Sequence, residues 1–272
     1  MVEKHKKDYP NYGHYIHVNG LDMYYEDRGS GSPLIMIHGG TGTGFQWEII
    51  MPILTQHFRV IVPDSRGHGR TDNPSNEFNY RLMAEDIATL IKELDLDKPL
   101  ICGWSDGGQI ALEVGIHYPN LSKALVVGGA LSEYSESFLN SMKVIGIKGP
   151  GVIDFDQLQK VLPDFVSIRS KLHSHVYGPE YWKSLMKNIS KMWLNPLAYP
   201  KETIREIATP VLIIIGDRDQ AIPVEEAVKM YQLIPTAELA IVPYADHQVT
   251  RYRHELFTNI ILDFLLRFSD IP

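Results

Sequence analysis

Among the side chains able to do chemistry, Ser105 is set apart by its neighbours. Gly103-Trp104-Ser105-Asp106-Gly107 reads G-x-S-x-G, with the short apolar run 100–102 before it and the helical pattern 109–118 after it. A strand, a sharp turn and a helix in that order lift a serine hydroxyl above a sheet edge, and glycines at 103 and 107 relieve the crowding this creates. A serine hydroxyl is unreactive at neutral pH unless a base takes its proton, so a histidine oriented by a carboxylate is required elsewhere in the chain. Of eleven histidines, His247 is the candidate base. It follows the apolar run 239–242 in the loop Pro243-Tyr244-Ala245-Asp246, ahead of the last helical stretch. His254, one or two helical turns on, is expected to face solvent. The run Ile213-Ile214-Ile215-Gly216 ends in Asp217-Arg218-Asp219 and offers two acids. Asp219 lies far enough into the loop to turn toward His247, whereas Asp217 suits nearby backbone N–H groups.

Such a trio implies acyl transfer, and a tetrahedral intermediate needs donors aimed at its oxyanion. His38-Gly39-Gly40-Thr41-Gly42-Thr43-Gly44, after the run 34–37, brings bare backbone close, and Gly40 is the expected donor. The N–H of Asp106, at the positive end of the helix that starts there, is the second. The glycine spacing is not G-x-G-x-x-G and no Lys-Ser/Thr follows, so a phosphate cradle is not expected. Trp104 and Thr41, beside these groups, and Trp182 and Trp193 further along are the candidate pocket residues.

These residues need a frame. Runs at 34–37, 58–62, 100–102, 124–127, 211–215 and 239–242 have the length and composition of buried strands. Helical patterns separate them, the clearest placing Met83, Ile87, Leu90, Ile91 and Leu94 on one stripe. Others cover 110–118, 224–234 and 255–267. Alternation of this kind predicts a mostly parallel, doubly wound α/β sheet. Two further runs, 15–18 and 23–26, flank Asn19-Gly20, a hairpin signal that makes the entry antiparallel and brings the sheet to about eight strands. Residues 132–204 break the rhythm with helical stretches and prolines but no convincing strand, and Gly149-Pro150-Gly151 marks a turn there. The prediction is a core domain of 1–131 and 205–272 with an inserted helical cap over 132–204.

Composition excludes other classes. The chain has 272 residues, 44% hydrophobic and 22% charged, and 26 Lys+Arg against 33 Asp+Glu give a formal charge of -7, which does not suit tracking a phosphate backbone. Nucleic acid and membrane are not expected partners; a small-molecule substrate is. One cysteine, Cys102, rules out an internal disulfide and fits a reducing, cytoplasmic setting; on the strand before Ser105 it reads as a small buried hydrophobe. The opening lysines have no apolar stretch behind them, so residues 1–13 read as a solvated tail. No cofactor or metal is called for: His38, Asp64 and His68 lie on different loops, and His173 and His175 are expected to be exposed. Glu133, just past the run 124–127, is a spare acid.

The chain resembles the α/β-hydrolase superfamily in its cap-bearing serine form. The likeness rests on the G-x-S-x-G turn, on Asp64-Ser65-Arg66-Gly67-His68-Gly69-Arg70-Thr71-Asp72, similar to D-x-R-G-x-G-x-S, and on Gly216-x-x-Asp219-x-x-x-Pro223, where such proteins place the acid. The order Ser, Asp, His is also theirs. Asp246 stands where a glycine usually precedes the histidine. The resemblance implies a hydrolase of a carboxylic ester or lactone, with C–C bond hydrolysis or cofactor-free haloperoxidase or perhydrolase chemistry as alternatives on the same trio. A non-catalytic binding protein on this fold is the reading from another class. Ser105 argues against dehalogenases and epoxide hydrolases, which carry aspartate at the turn, and Thr41 against prolyl aminopeptidases, which have proline there.

Overall fold

The computed structural model describes residues 13–173, 177–195 and 197–269, so His175 and the expected tail, apart from Gly13, which opens the first strand, lie outside the described residues. Strands β1 (Gly13–Val18) and β2 (Leu21–Gly29) form the antiparallel entry, turning at Asn19 and Gly20 with φ of 43° and 74°, the pair of left-handed residues a tight hairpin needs. β3 (Ser32–Ile37), β4 (Phe58–Pro63), β5 (Leu100–Trp104), β6 (Leu125–Gly128), β9 (Val211–Gly216) and β10 (Ala237–Val242) then run parallel, in the order β1-β2-β4-β3-β5-β6-β9-β10. This is the expected eight-stranded sheet.

Alternation along each strand divides the core in two. Ile35, Ile37, Ile101, Val127, Ile213 and Ile215 face α2 (Tyr80–Glu93), α3 (Asp106–His117) and α9 (Val224–Leu233). Leu34, Met36, Leu100, Cys102, Val126, Leu212 and Ile214 face α1 (Met51–Leu54), α10 (Val249–Tyr252) and α11 (His254–Leu266). α2 begins where Asn79 Oδ1 accepts the N–H of Leu82 at 2.7 Å, and its stripe Met83, Ile87, Leu90 and Ile91 is buried as its spacing predicts.

Between β6 and β9 the chain leaves the sheet for α4 (Glu136–Val144), α5 (Phe155–Val161), α6 (Pro163–Leu172) and α7 (Tyr181–Trp193), returning through α8 (Lys201–Arg205). Contrary to expectation this segment holds strands: β7 (Ile147–Gly149) and β8 (Val152–Ile153) pair across the Pro150-Gly151 turn. They are too short to show as an apolar run. Entry and exit are zipped together where Tyr134 N–H donates to Leu197 O at 3.0 Å and Tyr199 N–H to Ser132 O at 3.1 Å. The pinch falls a few residues before 204. Leu158, Val166, Leu185, Met186 and Ile189 belong to the same apolar cluster as the sheet face below. No helix among the described residues is long and apolar enough to cross a membrane.

Candidate active site

β5 ends at Trp104 and α3 starts at Asp106, leaving Ser105 alone to make the turn. Its backbone sits at φ 58°, ψ -119°, a region a non-glycine residue enters only when its surroundings compel it. Here they do: Ser105 N–H donates to Gly128 O at 2.8 Å on the neighbouring strand, and Ser105 O accepts from Gln109 N–H at 2.9 Å in the helix. A Cβ at 103 would come within 2.0 Å of Gly107 O, and one at 107 within 2.1 Å of Ile37 O, so both glycines of the motif are sterically required.

The Ser105 hydroxyl does not cap its helix. Oγ lies 3.0 Å from His247 Nε2, and His247 Nδ1 lies 2.7 Å from Asp219 Oδ2. A carboxylate only accepts, so Nδ1 carries the proton and Nε2 is free to take one from serine. The other Asp219 oxygen accepts the N–H groups of Ala221 and Ile222, both at 2.9 Å, which locks the carboxylate in place. Burial pulls the His247 pKa down, but Asp219 beside it, with Asp106 and Asp246 further off, outweighs this and holds it above the ordinary 6.5. Such an imidazole has the geometry to accept and return a proton.

The neighbouring acids take other positions. Asp217 is exposed and accepts the N–H of Ala245 at 2.9 Å, bracing the loop that carries His247; those backbone bonds hold its pKa low. Glu133 pairs with Lys229 at 2.9 Å on the surface. Asp246 takes the N–H of Gln248 at 2.8 Å. His254 donates to or accepts from nothing near the trio, its Nδ1 lying 3.1 Å from Arg251 O.

Gly39 packs directly on the elbow, since a Cβ there would lie 3.2 Å from Ser105 Cβ. At Gly40 a Cβ would meet Asp106 Oδ2 at 2.3 Å and the Trp193 indole at 2.7 Å, so only glycine fits. The N–H groups of Gly40 and Asp106 have no partner among the described residues. That leaves both able to donate.

The side chain of Asp106 is a feature the sequence reading missed, having used only its N–H. It is buried next to Ser105, accepting Tyr80 OH at 2.9 Å and Trp193 Nε1 at 2.8 Å. Burial pushes its carboxyl up to about 6, against the opposing pull of Trp193, Tyr80 and His247. An acid directly after the serine was visible in the motif, but its partners, 26 residues before and 87 after, were not.

Trp193 therefore packs on Asp106, the residue after Ser105, and Thr41 adjoins Gly40, its hydroxyl donating to Gly40 O at 2.6 Å. Two pocket assignments need correction. Trp104 alternates to the opposite face of the sheet, packs edge-on against Phe257 at 5.7 Å and donates its Nε1 to His247 O at 2.9 Å, so it supports the histidine loop from beneath. Trp182 is buried inside the insertion against Phe155, ring centres 5.4 Å apart. Cys102 is fully buried and its thiol pKa is raised by burial.

His38, His68 and His173 are all buried and all serve backbone groups, which for His173 departs from the expected exposure. Ser65 N–H donates to His38 Nε2 at 2.9 Å, which leaves Nδ1–H to donate to Gly39 O at 2.8 Å. Thr41 N–H donates to His68 Nε2 at 3.0 Å, and His68 Nδ1–H to Arg66 O at 2.9 Å. Gly69 N–H donates to His173 Nδ1 at 3.0 Å, and His173 Nε2–H to Thr41 O at 3.1 Å. Burial lowers His38 to about 4 and His68 well below its ordinary value, matching the neutral forms these bonds require. His173 is thus not an exposed cap histidine.

A doubly wound sheet, a strained serine at its carboxyl edge and a histidine and aspartate within hydrogen-bond reach define a class, and a family model agrees with it. The model for the alpha/beta hydrolase fold matches residues 32–179, and the chain belongs to that family. It is a hydrolase. It is 30% identical to a 2-hydroxy-6-oxo-6-(2'-aminophenyl)hexa-2,4-dienoic acid hydrolase of Metapseudomonas resinovorans, across 94% of this chain and 92% of that one. A meta-cleavage product hydrolase from Pseudomonas fluorescens superposes with a TM-score of 0.76 at 25% identity, covering 94% and 98% of the two chains. The enol-lactonase of Burkholderia xenovorans shares the fold at a TM-score of 0.74 and 20% identity, covering 93% and 100%.

Proposed function

We propose that the chain is a serine hydrolase working by acyl transfer on a small to medium, mostly apolar carboxylic ester or lactone. The observation that carries this reading is the unbroken line from Ser105 Oγ through the His247 ring to the buried carboxylate of Asp219, at 3.0 and 2.7 Å. Ser105 attacks the carbonyl as His247 Nε2 takes its proton, and the resulting imidazolium is stabilised by the carboxylate of Asp219. The N–H groups of Gly40 and Asp106 receive the oxyanion. His247 returns the proton to the leaving oxygen, then activates the water that releases the acid. Residues 132–204 act as the cap, and Trp193 and Thr41 stand as walls of the substrate pocket.

One observation favours a second reading, hydrolysis of a C–C bond in a keto acid. Arg169, on α6, is half-buried, its Nε donates to Thr41 Oγ1 at 3.1 Å, and no carboxylate among the described residues pairs with it. Its pKa falls to about 10 through burial and the charge of Arg251. An unpaired guanidinium costs free energy that a substrate carboxylate would recover. The dienoic acid hydrolase noted above acts on such an acid.

Labelling with a fluorophosphonate tests the shared chemistry: Ser105 is expected to be modified, and a wild-type chain that stays unlabelled and hydrolyses no p-nitrophenyl ester overturns it. Comparing kcat/KM on p-nitrophenyl esters, simple lactones and a 2-hydroxy-6-oxo-dienoate separates the two readings. An advantage of the dienoate that disappears in Arg169→Met would favour the keto acid.

A further inference from the structure

Resting on the serine-hydrolase reading, we propose that α6 of the insertion sets the oxyanion donor, with His173 and Arg169 as positioning residues that hold Thr41 and through it aim the Gly40 N–H. Both side chains grip one residue. His173 Nε2–H donates to Thr41 O at 3.1 Å and Arg169 Nε to Thr41 Oγ1 at 3.1 Å, from positions one helical turn apart.

Thr41 needs such a grip. Its φ of 57° is left-handed, and a β-branched residue resists that conformation more than most. A residue held there releases when its restraints go. The peptide planes around Gly40 show what the restraints control. A trans peptide points its N–H opposite its C=O, so fixing Gly39 O fixes the Gly40 N–H. Gly39 O accepts His38 Nδ1–H at 2.8 Å and Gly42 N–H at 3.0 Å. The next plane is fixed by Thr41 N–H on His68 at 3.0 Å and by the Thr41 hydroxyl on Gly40 O at 2.6 Å. The third is fixed on the carbonyl side by His173 alone among the described residues, and its far end carries the Gly42 N–H that closes the turn on Gly39 O.

His38 and His68 belong to the sheet domain and anchor the loop to residues 65 and 66. His173 comes from the insertion, 132 residues from Thr41, and its other nitrogen accepts Gly69 N–H at 3.0 Å. One neutral ring thus joins three loops. Its tautomer is dictated at both ends, Nδ1 accepting and Nε2–H donating, and it is fully buried. The insertion completes the oxyanion site as well as covering it.

The test uses the whole chain and counts active sites by fluorophosphonate titration, so kcat refers to competent enzyme. His173→Ala is expected to lower kcat on a p-nitrophenyl ester by roughly 10- to 100-fold with KM within about threefold, as for a misaimed oxyanion donor, and to slow labelling in parallel. Two polar variants follow, and they decide the matter if the alanine variant does not fold. His173→Gln places an amide near Nε2 and still donates to Thr41 O, so kcat returns to within about fivefold of wild type. His173→Asn reaches only Gly69 and stays low. An unchanged kcat per titrated site, a loss confined to KM or to melting temperature, or equal rates for the Gln and Asn variants overturns the proposal while the serine-hydrolase reading stands. A wild-type chain that neither labels nor turns over takes both down.

Discussion

Ser105 and Thr41 share a positive φ, 58° and 57°, yet they are held there by different means. Ser105 is restrained by secondary structure: its N–H joins the β6 ladder at Gly128 and its carbonyl starts α3 at Gln109. Thr41 is restrained by side chains, the imidazoles of His68 and His173 and the guanidinium of Arg169. The proposed nucleophile is therefore built into the sheet, and one proposed oxyanion donor depends on contacts between separate parts of the chain. Strain of 1–3 kcal/mol persists at either place only where the surroundings over-determine it.

The contrast can be broken first at the elbow. Ser105→Ala should lower kcat/KM by about 10⁴-fold or more and abolish fluorophosphonate labelling, with melting temperature almost unchanged because the ladder and helix bonds remain. A large drop in melting temperature instead would assign Ser105 a packing role. Next in size, Asp219→Asn should cost about 10³- to 10⁴-fold in kcat, by presenting the wrong partner to His247 Nδ1. Asp217→Asn, which touches only the loop backbone, should cost less than about tenfold. Equal losses would show that loop bracing, and not the tautomer of His247, is what the acid supplies.

Smaller effects sharpen the comparison through pH. In the proposed mechanism neutral His247 is the active form, and its pKa is raised, so kcat/KM should fall as pH drops through a value above 6.5. A limb below 6.5 would contradict the electrostatic reading of Asp219. The smallest expected effect concerns stability at Asp106. Its pKa rises from 3.8 to about 6 on folding, so the folded chain binds this proton more tightly than the unfolded chain does. Stability from this group is therefore lost as pH rises across that window. Asp106→Asn should remove that slope, and its melting temperature should gain on wild type between pH 4 and 6. Parallel curves for the two proteins would place the carboxyl in a solvated setting.

Much of the sheet was legible because strand and helix periods are local properties. The runs at 34–37, 58–62, 211–215 and 239–242 became strands with ends shifted by a residue or two, since backbone pairing extends past the last apolar side chain. The insertion was legible only as an interruption: β7 and β8 are brief, and what pairs them is a turn, not a pattern. Trp104 and Trp182 were misplaced for one reason. Sequence gives a tryptophan's neighbours along the chain but not which face it takes, and here one turned under the sheet and the other into the insertion's own core.

By itself the sequence determined the strained turn at Ser105, because G-x-S-x-G between an apolar strand and a helix leaves the backbone few alternatives. It also determined the order of the three chemical residues and the loops that carry them. Tertiary structure alone decided that His173 reaches Thr41, that Tyr80 and Trp193 enclose Asp106, and that Arg169 has no carboxylate partner among the described residues. Those contacts span from 26 to 132 residues and have no period, so only the packing of the insertion onto the sheet edge brings them together.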